Sequence, residues 1–221
     1  MIAWETIDRA RAPDGVELVL ARRGDEWVVR TAGRVLMSSR THGSEEALAA
    51  LALADVARPR EVLVGGLGLG FTLRAALDRL PPAARVVVAE LVPAVVAWNR
   101  GPLAGFAGRP LEDGRVRVEA ADVGDVLARG TAAWDAVLLD VDNGPSALAH
   151  GGNARLYGAA GAQALREALR PGGSVAVWSA GRDARFMRRL ADAGLVPVEH
   201  VVGARGGATG VRHVVVVARR P

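Results

Sequence analysis

The stretch that most constrains this chain is Gly65-Gly66-Leu67-Gly68-Leu69-Gly70, set between an apolar strand at Val62–Val64 and a helical run at Thr72–Leu80. Glycines alternate at Gly66, Gly68 and Gly70. Residues without a Cβ let backbone turn tightly, approach a ligand closely and present N–H groups at a helix start. Open α/β sheets bind ligands at such loops, at the carboxyl ends of their strands. A dinucleotide-binding loop carries its last glycine where this chain has Phe71, which weighs against NAD.

Around the loop, strand and helix alternate. The pattern predicts strands at Arg85–Ala89, Val116–Ala120, Ala136–Leu139 and Val175–Ser179. Helices are predicted at Ala94–Asn99, Gly124–Arg129, Ala159–Leu169 and Asp183–Ala193, the third stopped by Pro171-Gly172-Gly173. Such alternation means a parallel sheet with helices on both faces. The last strands, Val196–Val202 and His213–Ala218, are joined by a loop too short for a helical crossover, so they pair antiparallel at one edge. The expected fold is therefore α/β: a doubly wound, mostly parallel, Rossmann-like sheet of the class I AdoMet-transferase type with an antiparallel C-terminal edge hairpin. Upstream, Val16–Ala21, Trp27–Arg30 and Val35–Met37 read as a small β-meander. Residues 44–57 read as a helix opened by Ser44, with Glu45 and Glu46 in its first turn, where carboxylates suit the dipole. We expect an N-terminal β segment over 1–43 and an α/β domain over 44–221.

Composition removes several alternatives. No cysteine is present, which excludes a disulfide framework and thiolate metal sites. His42, His150, His200 and His213 are scattered without metal-ligand spacing, so no metal is expected. The N-terminus lacks a signal-peptide pattern and the apolar runs are too short to span a bilayer. A cytoplasmic protein with no membrane partner is the expectation. The net charge of +4 is carried by arginine alone, without a lysine, and the arginines form no patch. No nucleic-acid partner is expected.

Acids stand at the ends of the next strands. Glu90 ends the second parallel strand, where a carboxylate can accept from both ribose hydroxyls. Asp122 ends the third and can accept from an adenine amino group. Asp140 ends the fourth, after Val137-Leu138-Leu139, and can hold a cationic amine or take its proton. Asp142 and Asn143 follow in the same loop, where Asp142 also suits a turn before Asn143-Gly144.

The segments Val62–Leu77, Val88–Val96, Val116–Leu127 and Asp135–Gly173 together resemble the polyamine aminopropyltransferases, the spermidine and spermine synthases. Arg155-Leu156-Tyr157 through Pro171-Gly172-Gly173 is similar to that family's Leu-Tyr helix ending in Pro-Gly-Gly, and Gly33-Arg34-Val35-Leu36-Met37-Ser38 looks like a remnant of its β domain. The resemblance implies a transferase of polyamine biosynthesis that takes S-adenosylmethionine or its decarboxylated form as donor. It implies a nucleoside pocket of Gly66, Gly68, Gly70, Glu90, Leu91, Asp122 and Val123, with Asp140 beside it as catalytic acid/base. Asp142, Asn143, His42 and Tyr157 would touch the acceptor, a small amine such as a polyamine, and the protein would be a homodimer.

The chain also departs from the family. The glycine loop has Leu69 where the family carries the aspartate that helps hold the aminopropyl ammonium. The family's Gln falls near Leu36, its Tyr-His pair near Glu45-Glu46, its Asp-Pro at Val92-Pro93, and its second loop acid is displaced to Asp142 or lost to Asn143. A neutral Leu69 no longer repels the carboxylate of ordinary AdoMet. An AdoMet-dependent methyltransferase and a non-catalytic nucleoside-binding protein therefore stand as alternatives.

Overall fold

The computed structural model describes residues 2–141, 155–207 and 210–221. The chain opens with an antiparallel meander of β1 (Glu5–Arg11), β2 (Glu17–Arg23), β3 (Glu26–Thr31) and β4 (Arg34–Ser38). The turn between β3 and β4 puts both Ala32 and Gly33 at positive φ, the handedness that tight hairpins prefer. Strand β1 was not visible in the sequence. Its residues, Glu-Thr-Ile-Asp-Arg-Ala-Arg, show no apolar alternation because it is a charged edge strand, a composition that discourages further pairing. It is tied to the rest of the fold by Asp8, which accepts from the Trp98 indole N–H at 2.7 Å. Trp27 leans on Phe106 nearby, with ring centroids 6.2 Å apart.

Helix α1 (Gly43–Leu53) leads into a seven-stranded sheet made of β5 (Glu61–Gly65), β6 (Arg85–Ala89), β7 (Val116–Glu119), β8 (Trp134–Leu139), β9 (Leu169–Ser179), β10 (Val196–Gly203) and β11 (Arg212–Arg219). Their order is β10-β11-β9-β8-β5-β6-β7. Strands β5 to β9 run parallel, and β11 lies antiparallel between β9 and β10. Successive residues of β5 feed opposite faces of the sheet. Val62 and Val64 join the core that holds Leu48 and Leu73, whereas Leu63 joins the core that holds Leu127, Leu165 and Phe186. Helices α2 (Phe71–Leu77) and α3 (Pro93–Arg100) follow β5 and β6. Helices α4 (Val123–Ala128), α5 (Ala159–Ala168) and α6 (Ala184–Asp192) complete the set of α-helices bounded by described residues. Asp183 caps α6 by accepting from the N–H groups of Arg185 and Phe186 at 2.9 and 3.0 Å.

Two predicted boundaries move. Helix α1 stops at Leu53, not at residue 57. Strand β9 begins at Leu169 and runs through Pro171-Gly172-Gly173, which the sequence reads as a helix stop. The reason is the C-terminus: Gly172 donates to the Arg220 carbonyl and Arg220 donates to that of Gly173, so the tail pins this segment to the sheet. Among the described residues no helix is long and apolar enough to cross a membrane.

The chain goes from β5 outward to β6 and β7, then returns to add β8 and β9 on the other side of β5. The order reverses between β5 and β8, and a crevice at that reversal is where doubly wound sheets hold ligands.

Candidate functional site

At the carboxyl end of β5, Gly66, Gly68 and Gly70 have φ of 85°, 54° and 84°. A Cβ on Gly66 would strike the Asp140 carbonyl oxygen, and one on Gly70 would sit 3.2 Å from Asn99 Oδ1. The loop is held from outside: the Asn99 amide donates to the Gly68 carbonyl at 2.8 Å and to that of Val95 at 2.9 Å. Glu90 is 7% exposed. Its Oε2 accepts from the Leu67 N–H at 2.9 Å and its Oε1 from the Val92 N–H at 2.8 Å. The carboxylate is thereby fixed against the loop. Each oxygen has a second acceptor site, so the geometry fits the ribose role. Leu91 beside it is 45% exposed, an apolar surface at the crevice mouth.

Asp122 is the N-cap of α4, its Oδ1 accepting from the Gly124 N–H at 2.7 Å. The sequence did not foresee this capping task, which orients the carboxylate at the strand end. Val123 is buried, and a Cβ on Gly65 would lie 2.7 Å from its Cγ2. Val123 thus packs directly under the glycine loop.

Asp140 follows β8. Its N–H donates to the Gly65 carbonyl at 2.8 Å, and its Oδ2 accepts from the Thr72 hydroxyl at 2.6 Å. It opens on a cleft of about 560 Å³ between the loop, β4 and Trp178. A second carboxylate, Glu45 from the first turn of α1, lines the same cleft. Burial, then the Asp140 charge, push the Glu45 carboxyl up from 4.5 to about 7, with Glu46 adding to the effect and the Ser44 hydrogen bond opposing it. The Ser44 hydroxyl donates to Glu45 Oε2 at 2.6 Å. Because its one proton goes to Glu45, His213 Nδ1, 3.0 Å from the same oxygen, must be the donor there. His213 in turn meets the Trp178 ring edge at 4.6 Å, and burial lowers its pKa.

The structure thus gathers Gly66, Gly68, Gly70, Glu90 and Asp140 about one crevice, with Leu91, Asp122 and Val123 at its rim or base. His42 stands behind the cleft wall: its ring stacks on Phe71 at 4.1 Å, and its Nδ1 bonds Glu46 Oε1 at 2.8 Å. Tyr157 is a core residue, set edge-on against Phe186 at 5.4 Å, with its hydroxyl 3.4 Å from the Val141 carbonyl. Asp142, Asn143 and His150 lie outside the described residues. The sequence did not single out Glu45, Thr72 or Asn99. The polar residue two places after the last loop glycine was a signal for Thr72. Among the described residues no group of His, Asp and Glu is arranged to hold a metal ion.

No family model and no curated protein matches the sequence. Solved structures do match the fold. A spermidine synthase in complex with the transition-state analogue AdoDATO superposes with a TM-score of 0.76 at 16% identity, over 98% of this chain and 72% of that one. The spermidine synthase from Thermotoga maritima gives a TM-score of 0.77 at 17% identity, over 98% and 73%. At this identity the likeness is one of fold, and the α/β architecture with its small antiparallel N-terminal sheet is shared with those enzymes.

Proposed function

We propose that this chain is a transferase that binds a sulfonium nucleoside of the AdoMet type across Gly66–Gly70 and passes an alkyl group, of aminopropyl type, to an amine held at Asp140. The observation that carries this reading is the meeting of the glycine loop, Glu90 and Asp140 at the strand-order reversal, beside an acidic cleft. Glu90 takes the ribose, Leu91 and Asp122 flank the base, and the sulfonium tail runs toward Asp140. The likeness in fold to a spermidine synthase crystallised with AdoDATO is in keeping with it.

The chemistry asks little of the protein beyond alignment and electrostatics. The incoming ammonium gives a proton to a carboxylate, and the freed lone pair forms a bond to carbon. The carbon–sulfur bond breaks, its electron pair goes to sulfur, and a neutral thioether leaves. Methyl transfer from AdoMet is a second reading, favoured by Leu69, whose neutral side chain leaves room for the donor's own carboxylate.

Glu90→Ala should weaken methylthioadenosine binding by about 1.5–3 kcal/mol, the range for hydrogen bonds to a charged group. Calorimetry measures this directly, and unchanged affinity in a folded variant would sink the ribose assignment. We further propose that the protein is a cytoplasmic homodimer, two-fold dimers being the commonest assemblies. Light scattering showing a monomer at micromolar concentration removes that claim.

A further inference from the structure

Two carboxylates face one cleft from different elements, Asp140 from the end of β8 and Glu45 from the start of α1. The remaining wall is largely apolar, with Leu36, Met37, Leu69 and Phe71, and among the described residues it carries no basic side chain. Trp178 completes it, with an indole N–H that is buried and lacks a hydrogen-bond partner among the described residues. Buried donors are ordinarily satisfied, so an unmet one on this wall points to a bound molecule. Like charges held together away from water are costly, and a cation placed between them relieves the cost.

We propose that Glu45 is a second working carboxylate of the site, which with Asp140 admits a donor tail bearing an ammonium alone and turns away one that also bears a carboxylate. The inference rests on the reading of this crevice as a sulfonium-nucleoside site. The tail carboxylate of AdoMet would be a third negative charge in a cleft with no described cation to meet it. An aminoalkyl tail brings the positive charge the pair lacks. Leu69 supplies neither sign, so the charge that governs the tail comes from α1. Ser44 and His213 act as positioning residues, holding one Glu45 oxygen through the chain His213 Nδ1 to Ser44 Oγ to Glu45 Oε2. The other charged neighbour of Glu45 is Glu46, which is exposed and paired with His42.

The test is calorimetry at pH 8 with three ligands: methylthioadenosine, which has no charged tail, AdoMet and decarboxylated AdoMet. The wild type should prefer decarboxylated AdoMet over AdoMet by roughly 100-fold, and Glu45→Gln should shrink that ratio by about 10-fold or more, leaving methylthioadenosine binding within about 2-fold. The wild-type preference should fall as pH drops through about 7, where Glu45 takes up a proton. Ser44→Ala, which removes a bond favouring the charged form, should move that midpoint upward. An unchanged donor ratio in Glu45→Gln, with methylthioadenosine still bound, overturns this inference alone. A wild type that binds no methylthioadenosine overturns the nucleoside reading and this inference with it.

Discussion

Asp140→Asn should turn over donor and amine about 10²–10⁴-fold more slowly than the wild type, the range for losing a general base, while methylthioadenosine binds as before. The substitution keeps size and shape. Asn still offers an oxygen to the Thr72 hydroxyl, and the backbone bond from residue 140 to the Gly65 carbonyl is untouched. What disappears is the charge that holds an ammonium and the basicity that accepts its proton. Single-turnover kinetics separate this step from binding. Joint loss of turnover and methylthioadenosine affinity would assign Asp140 to the nucleoside pocket instead. Glu45 should respond as well: without the Asp140 charge one cause of its raised pKa is gone, so its titration should move down. Because the two acids share one ligand charge, Asp140→Asn and Glu45→Gln should not combine additively.

The parts of the site legible in the sequence are those fixed by chain-local rules. The runs Val62–Val64 and Val137–Leu139 announce buried parallel strands because both faces are covered. Each strand end then delivers the next residue to the crevice, which is why Gly66, Glu90, Asp122 and Asp140 could be found by position alone. Glu45 could not. Read along the chain it is a first-turn carboxylate suited to a helix dipole. Its partner Asp140 lies far away in sequence, and the His213 that steadies it through Ser44 is 169 residues from that serine. Both meet Glu45 only when α1 packs over β9 and β11. The same gap misled the argument from Leu69. Taken along the loop alone, a neutral side chain favours ordinary AdoMet. With Glu45 on the same cleft the surroundings are acidic, and one position no longer decides the donor. Strand β1 was hidden for a different reason: an exposed charged edge has no apolar period to read.

Glu45→Gln should raise stability at alkaline pH while weakening function. The Glu45 carboxyl is raised from 4.5 to about 7 in the fold. A group so raised holds its proton more tightly folded than unfolded. The fold therefore has its full advantage from this group below about pH 4.5 and loses it as pH climbs to about 7. Above that, the wild type carries a buried charge facing Asp140 that Gln does not. The variant should match the wild type near pH 4.5 and exceed it at pH 8 by at most about 3 kcal/mol, taking ~1.4 kcal/mol per pKa unit. For a chain of this size each kcal/mol shifts Tm by roughly 2–4 °C, so the gain is readable by thermal denaturation across a pH series. Other titrating groups are common to both proteins and cancel in the difference. A gain that does not depend on pH would mean that Glu45 is not ionised against Asp140. A loss of stability at pH 8 would mean that a cation already neutralises the pair. The expected result makes Glu45 a residue the fold holds at a cost, which is how functional sites commonly differ from the scaffold around them.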